Sequence, residues 1–188
     1  MTGIESISRE MATGHLKRLY QTYQRPNRTI ANIYRAHSLR PHTLEGHTAL
    51  YRAVLGHADN ELPLWYLEAV GLYVSVLNQC SYCIDHHTHA GGLAYPGAAT
   101  AWATISDALL NDRTADVFKG KELALLRYVR NLTLNPASLT TTSMDVLRAA
   151  SASDSEILEV NQIASYFAYA NRVVLGLGVT RDGEVWAD

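Results

Sequence analysis

Cysteine is scarce in this chain. Only two occur among 188 residues, too few for the disulfide framework of a small secreted domain. An excess of either charge is also missing: 16 Lys and Arg stand against 18 Asp and Glu, a net charge of −2. A dedicated nucleic-acid binder would present a strongly basic face instead. No long apolar run is present. The charge-free stretch at the apolar centre, Ala69 to Ile84, contains Asn78 and Gln79 and falls short of the ~20 apolar residues of a membrane-spanning helix. The opening MTGIESISREM carries acids and has no apolar signal core. Glycine-rich phosphate loops, dinucleotide fingerprints and serine-nucleophile motifs are absent too, so nothing supports a nucleotide cofactor or serine hydrolysis. These absences lead us to expect a soluble, cytoplasmic protein with no cofactor and with neither nucleic acid nor membrane as partner.

What is present reads as helix. With 47% hydrophobic and 18% charged residues the chain can build a real core, and its length fits one domain. Glycine and proline punctuate helical segments expected at 5–24, 29–38, 42–57, 64–78, 80–93, 98–110, 119–134 and 140–150. Leu50, Val54 and Leu55 are expected on the buried face of the third. Ser153 and Glu156 have the spacing of a capping box opening a last helix to about residue 176. Only YVSV at 73–76 has the composition of a strand. The polar tail TRDGEVWAD is expected to be an exposed extension or a swapped arm.

The two cysteines, Cys80 and Cys83, form a lone C-x-x-C. Two cysteines fall three residues apart by chance about 1% of the time. The pattern widens to Glu68, eleven residues, Cys80, two residues, Cys83, three residues, His87. At about 100° per residue, Cys80, Cys83 and His87 share one face of a helix. Cys83 and His87, at i and i+4, can approach for proton transfer, and Cys80 lies one turn before Cys83, where a disulfide can close. A helix beginning near Cys80 would also favour a thiolate there. In one straight helix Glu68 would lie about 18 Å from Cys80. A bend at Asn78-Gln79 that folds the second helix back along the first brings Glu68 and His87 level, so that carboxylate, imidazole and thiols form a relay.

The stretch WYLEAVGLYVSVLNQCSYCIDHHTHA resembles the AhpD-like branch of the carboxymuconolactone decarboxylase superfamily, and within it the peroxidase-related, alkylhydroperoxidase-like group. The likeness is strongest over residues 61–95. It continues more weakly through LRYVRNLTLNPASLT and the final helix with its pair Asn171-Arg172, while residues 1–40 add only an N-terminal helical extension. The resemblance implies a single all-α, AhpD-like domain over residues 1–188, with the C-x-x-C at a helix N-terminus in a helical hairpin, assembling into homo-oligomers. It further implies a thiol-dependent peroxidase or disulfide oxidoreductase. Carried over by position, Cys83 reacts with the hydroperoxide, Cys80 resolves it, and His87 with Glu68 forms the proton relay. A dithiol or thiol-reductase supplies the electrons. AhpD proper has histidine directly before the second cysteine; here that position is Tyr82, which puts the family's reductant in doubt. The superfamily's decarboxylases lack the cysteine pair.

The rival reading is a non-catalytic helical module that senses redox state or holds zinc. Cys80, Cys83, His86, His87 and His89 offer N and S donors, but all within ten residues, whereas structural zinc usually draws ligands from two separated segments. We therefore expect no metal. His86 and His89 are expected at solvent or a subunit contact, and Tyr166, Phe167 and Tyr169 in core or interface.

Overall fold

A helix that is apolar on every side must be buried, and LWYLEAVGLYVSVL is such a sequence. In the computed structural model, which describes residues 1–27 and 29–185, this segment is the helix α4, Leu64–Leu77, buried without a break from Tyr66 to Ser75. The YVSV stretch is part of it. β-Branched content is a weak preference and the packing of the whole helix overrides it. Among the described residues there is no strand, as an all-α chain requires.

The chain divides into two compact units, Arg52–Asn171 and Met1–Tyr51 with Arg172–Asp188. In the first, α4 is followed by α5 (Ser81–Ala94), α6 (Ala99–Leu110), the short α7 (Thr114–Val117), α8 (Gly120–Leu134), a 3-10 turn at Pro136–Ser138, α9 (Thr141–Ala149) and, as far as Asn171, α10 (Asp154–Gly176). The short α7 and the 3-10 turn were not anticipated. The expected capping box opens α10: Ser153 Oγ accepts from the Glu156 backbone N–H at 3.0 Å, and Glu156 Oε2 accepts from the Ser153 N–H at 2.9 Å. Among the described residues no helix is long and apolar enough to cross a membrane.

The second unit contains α1 (Gly14–Tyr23), α2 (Asn32–Ala36) and the first part of α3 (Pro41–Leu55). Its core gathers Ala12, Leu16, Leu19, Tyr20, Ile30 and Leu44. Three expectations are corrected. Residues 5–13 are not helical: the Ile7 N–H donates to Ser38 Oγ (2.9 Å) and the Tyr20 hydroxyl to the Ile7 carbonyl (3.0 Å), so this backbone finds its partners outside a helix. Leu50 is exposed, because the buried face of α3 runs through Leu44, His47, Thr48, Val54 and Leu55. The tail is no free extension as far as residue 185. Glu184 pairs with Arg25 at 2.9 Å and accepts the Asn32 N–H at the start of α2, while the Asn32 side chain donates to the Thr180 carbonyl. A carboxylate at a helix N-terminus satisfies an otherwise orphaned donor there. Residues 186–188 of the same expectation lie outside the described residues.

Two buried histidines, His37 and His47, face each other in this unit with ring centroids 5.0 Å apart. Burial, then the neighbouring His37, pushes His47 down to about 4 from its usual 6.5. The unfolded chain therefore binds more protons between these values, and folding stability is complete above about pH 6.5 and falls toward pH 4. The loss attributable to His47 is about 3 kcal/mol. Urea unfolding across this range should show it, and His47→Leu should flatten the profile.

Candidate active site

The C-terminus of α4 builds the turn that holds the cysteines. Gln79 N–H donates to the Val76 carbonyl at 2.9 Å and Cys80 N–H to the Ser75 carbonyl at 2.9 Å, with Gln79 at φ +57°. This is the pair of bonds that closes a helix through a left-handed residue, a position usually given to glycine. Glutamine there costs about 1 kcal/mol or more of backbone strain. The next residue, Cys80, is at once the N-cap of α5, and its carbonyl accepts from the Ile84 N–H at 2.8 Å. The fold-back expected at Asn78-Gln79 is thus present, and it is made in two residues.

Folding α5 back on α4 brings Glu68 and His87 together. His87 Nδ1 lies 2.6 Å from Glu68 Oε2, the carboxylate almost wholly buried. A carboxylate only accepts, so Nδ1 carries a proton toward Glu68, and Nε2 is the ring nitrogen left for proton transfer. Phe167 of α10 stands edge-on to the imidazole, centroids 4.4 Å apart. The same ring fills the space over Gly71 on α4, where an added Cβ would run into it. Gly71→Ala must displace Phe167, so it should cost about 1–3 kcal/mol of stability, read as a drop in the urea midpoint.

The cysteines are both reduced and buried, with their sulfurs 2.6 Å apart. Their environments are unequal. The hydrogen bond from the Cys83 thiol, aided by the Cys83 backbone N–H and opposed by burial, lowers the Cys80 thiol below its usual value. The same shared bond, then burial, then the Cys80 charge, raise Cys83, with a hydrogen bond from Asn171 as the opposing influence. A thiolate at a helix N-cap is favoured by the aligned backbone N–H groups. Among the described residues His87 makes no hydrogen bond to either sulfur.

All four residues singled out by spacing therefore meet at one hairpin, as two bonded pairs. Spacing did not reveal Phe167 as the rest for His87, nor Asn171 as an influence on Cys83. Both lie on α10, far away in the chain. His86 and His89 are half-buried, the His86 ring tilted 38° to that of Tyr82 with centroids 4.4 Å apart. Tyr166 and Phe167 are core residues, and Tyr169 is exposed. Among the described residues no three His, Cys, Asp or Glu side chains converge as a metal site.

No protein-family model matches the chain, and no curated protein matches it significantly. Solved structures do. An uncharacterized peroxidase-related protein with an alkylhydroperoxidase AhpD core, from Ralstonia eutropha, superposes with a TM-score of 0.80 at 15% identity, over 94% of this chain and 90% of that one. The fold is AhpD-like. A second peroxidase-related protein, from a Silicibacter species, gives 0.75 at 17% identity over 95% and 87%. The debrominase Bmp8 gives 0.73 at 18% identity over 93% and 89%. Likeness at this level of identity concerns the AhpD-like fold and leaves the chemistry to the residues of the hairpin.

Proposed function

We propose that the chain is a thiol-dependent peroxidase that reduces hydroperoxides through the Cys80–Cys83 dithiol. One observation carries this reading: a carboxylate-bound imidazole and two adjacent reduced cysteines are folded onto a single helical hairpin. A core has no use for such a set, since a buried carboxylate and an imidazole both cost desolvation that apolar side chains avoid.

The division of labour follows from the thiol environments. Sequence spacing pointed to Cys83 as the attacking thiol, on the ground that His87 would touch it. With that hydrogen bond missing and the negative charge favoured at Cys80, we assign the first attack to Cys80. Its thiolate takes the terminal oxygen of the hydroperoxide, the O–O bond breaks, and the leaving alkoxide gains a proton, for which His87 is the donor or relay. Cys80 becomes a sulfenic acid. Cys83 then forms the disulfide as water leaves, and an external dithiol reopens it while being oxidised itself. Glu68 keeps the imidazole in one tautomer and stabilises its charged form. We expect the protein to act as a homo-oligomer.

A second reading has a specific motive. The debrominase that shares the fold has also been crystallised, as a cysteine-to-alanine variant, with 2,3,4-tribromopyrrole. A thiolate that takes bromine from an aromatic carbon leaves that carbon to gain a proton, and the second thiol then displaces bromide from sulfur to give the same disulfide. Supplying a dithiol and measuring its oxidation with hydrogen peroxide, with a small organic hydroperoxide and with the bromopyrrole separates the two. Turnover with hydroperoxide supports our reading; turnover with the bromopyrrole alone overturns it.

A further inference from the structure

The hydrogen bond to Glu68 holds only one atom of the His87 ring. Rotation of a histidine about Cβ–Cγ is a broad torsion with little preference of its own, and a ring held at Nδ1 can still rock about the line of that bond. Nε2, the nitrogen left for proton transfer, moves with the rocking. What opposes it lies on α10. Phe167, 1% exposed, meets the imidazole with centroids 4.4 Å apart and planes at 86°. The phenyl ring is itself held on two further sides. Tyr166 crosses it at 82°, centroids 5.2 Å apart, and Phe167 Cε2 and Cζ lie 2.4 Å from the place that a Cβ on Gly71 would take. Gly71 comes one turn after Glu68 on α4, so the two share a face of that helix. The missing side chain is the notch through which the phenyl reaches the ring that Glu68 binds.

We propose that Phe167 is a positioning residue for the thiol chemistry: seated in the notch at Gly71, it holds the His87 imidazole in a single orientation, with Nε2 fixed for proton transfer. The inference rests on the peroxidase reading of the preceding subsection, in which His87 supplies the proton of the leaving alkoxide. Helices on three sides then constrain one ring. The α5 backbone carries it, Glu68 of α4 binds Nδ1 at 2.6 Å, and Phe167 of α10 blocks its rocking. A phenyl ring suits the task, being flat and without a polar atom to compete for Glu68. It also keeps water from a carboxylate and an imidazole whose side chains are 5% and 14% exposed, and a hydrogen bond in such a dry place is electrostatically stronger. Nothing in the backbone asks for glycine at position 71. It lies inside α4 and is not among the residues with positive φ, and glycine within a helix is less stable there than alanine. What glycine contributes at this position is room for the ring.

The test compares the full chain carrying Phe167→Leu, Gly71→Ala or both with the wild type. Three quantities are read: the urea midpoint, the single-turnover loss of reduced thiol with hydrogen peroxide, and the low-field proton resonance of His87 Nδ1–H, assigned by its absence from His87→Ala. Leucine vacates part of the space of the ring and the alanine methyl refills it, an exchange that nearly conserves volume. The double variant should therefore regain the urea midpoint that each single change lowers, yet it has no ring. At this restored stability its thiols should still oxidise about 10–100-fold more slowly than those of the wild type, with the Nδ1–H resonance broadened or lost. Return of rate and resonance together with the midpoint would make the phenyl mere packing and overturn the inference. Wild-type rate and resonance in Phe167→Leu would do the same. If the midpoint is not regained, the resonance of Phe167→Leu without urea decides: a wild-type signal overturns the inference and a broadened one upholds it. No hydroperoxide enters the resonance measurement. If the wild type consumes no peroxide while the resonance responds as expected, the peroxidase reading fails and the phenyl stands as the support of the imidazole. If the wild type turns over and the double variant keeps both rate and resonance, this inference alone fails.

Discussion

Cys80→Ser and Cys83→Ser should each abolish steady-state peroxide consumption with a supplied dithiol, but leave the protein in different states. Without Cys80 no sulfenic acid forms, because the sulfur whose charge the helix N-cap favours is gone. Without Cys83 one equivalent of peroxide is consumed, the cycle halts at a sulfenic acid on Cys80, and a dimedone-type reagent labels it. Mass spectrometry of the trapped product reads the assignment directly. Label on Cys83 in the Cys80→Ser variant would reverse the roles and restore the order that the spacing to His87 argues for. Wild-type turnover in both variants would dismiss the peroxidase reading.

Glu68→Gln and His87→Ala are expected to slow the first oxidation by about 10²–10⁴-fold, the usual worth of a positioned acid–base group. The measurement is single-turnover loss of reduced thiol after mixing with hydroperoxide. The two changes should not multiply. Glu68 acts on the reaction only through the ring that it holds at 2.6 Å, so the double variant should react about as slowly as His87→Ala. A double variant slower by the product of the single effects would mean that the carboxylate touches the chemistry independently. A loss under tenfold in either single variant would remove the relay from the mechanism.

The hairpin was legible because its parts carry local signals. An acid inside an apolar run, a break at Asn78-Gln79 and a C-x-x-C one turn ahead of a histidine have few shared solutions once helix rise and period are imposed. The start of α10 was legible for the same reason, since a capping box spans only four residues. Contacts between distant parts of the chain were not. Nothing near Glu184 announces Arg25 and Asn32 as its partners, and nothing near His87 announces Phe167. Residues 5–13 carry apolar positions compatible with a helix, yet the Ile7 N–H and carbonyl are met by Ser38 and Tyr20. On the order of the thiols, spacing to His87 argues for Cys83 and the helix N-cap for Cys80. The sulfur that receives the N–H and S–H donors holds charge more readily, a matter of ångströms that residue counts do not resolve.

The turn at Gln79 also decides where the chain can tolerate a change in length. Because the C-terminal closure of α4 and the N-cap of α5 share Cys80, no slack separates the two helices. One residue inserted there would rotate α5 by about 100° and advance it by about 1.5 Å. Cys83 and His87 would swing away from Cys80 and Glu68 in the same movement, since all of α5 turns as a rod. Insertions at 95–98, past the end of α5, leave that registration untouched. Length variation among chains that keep this chemistry should therefore gather after α5 and avoid the two residues before Cys80.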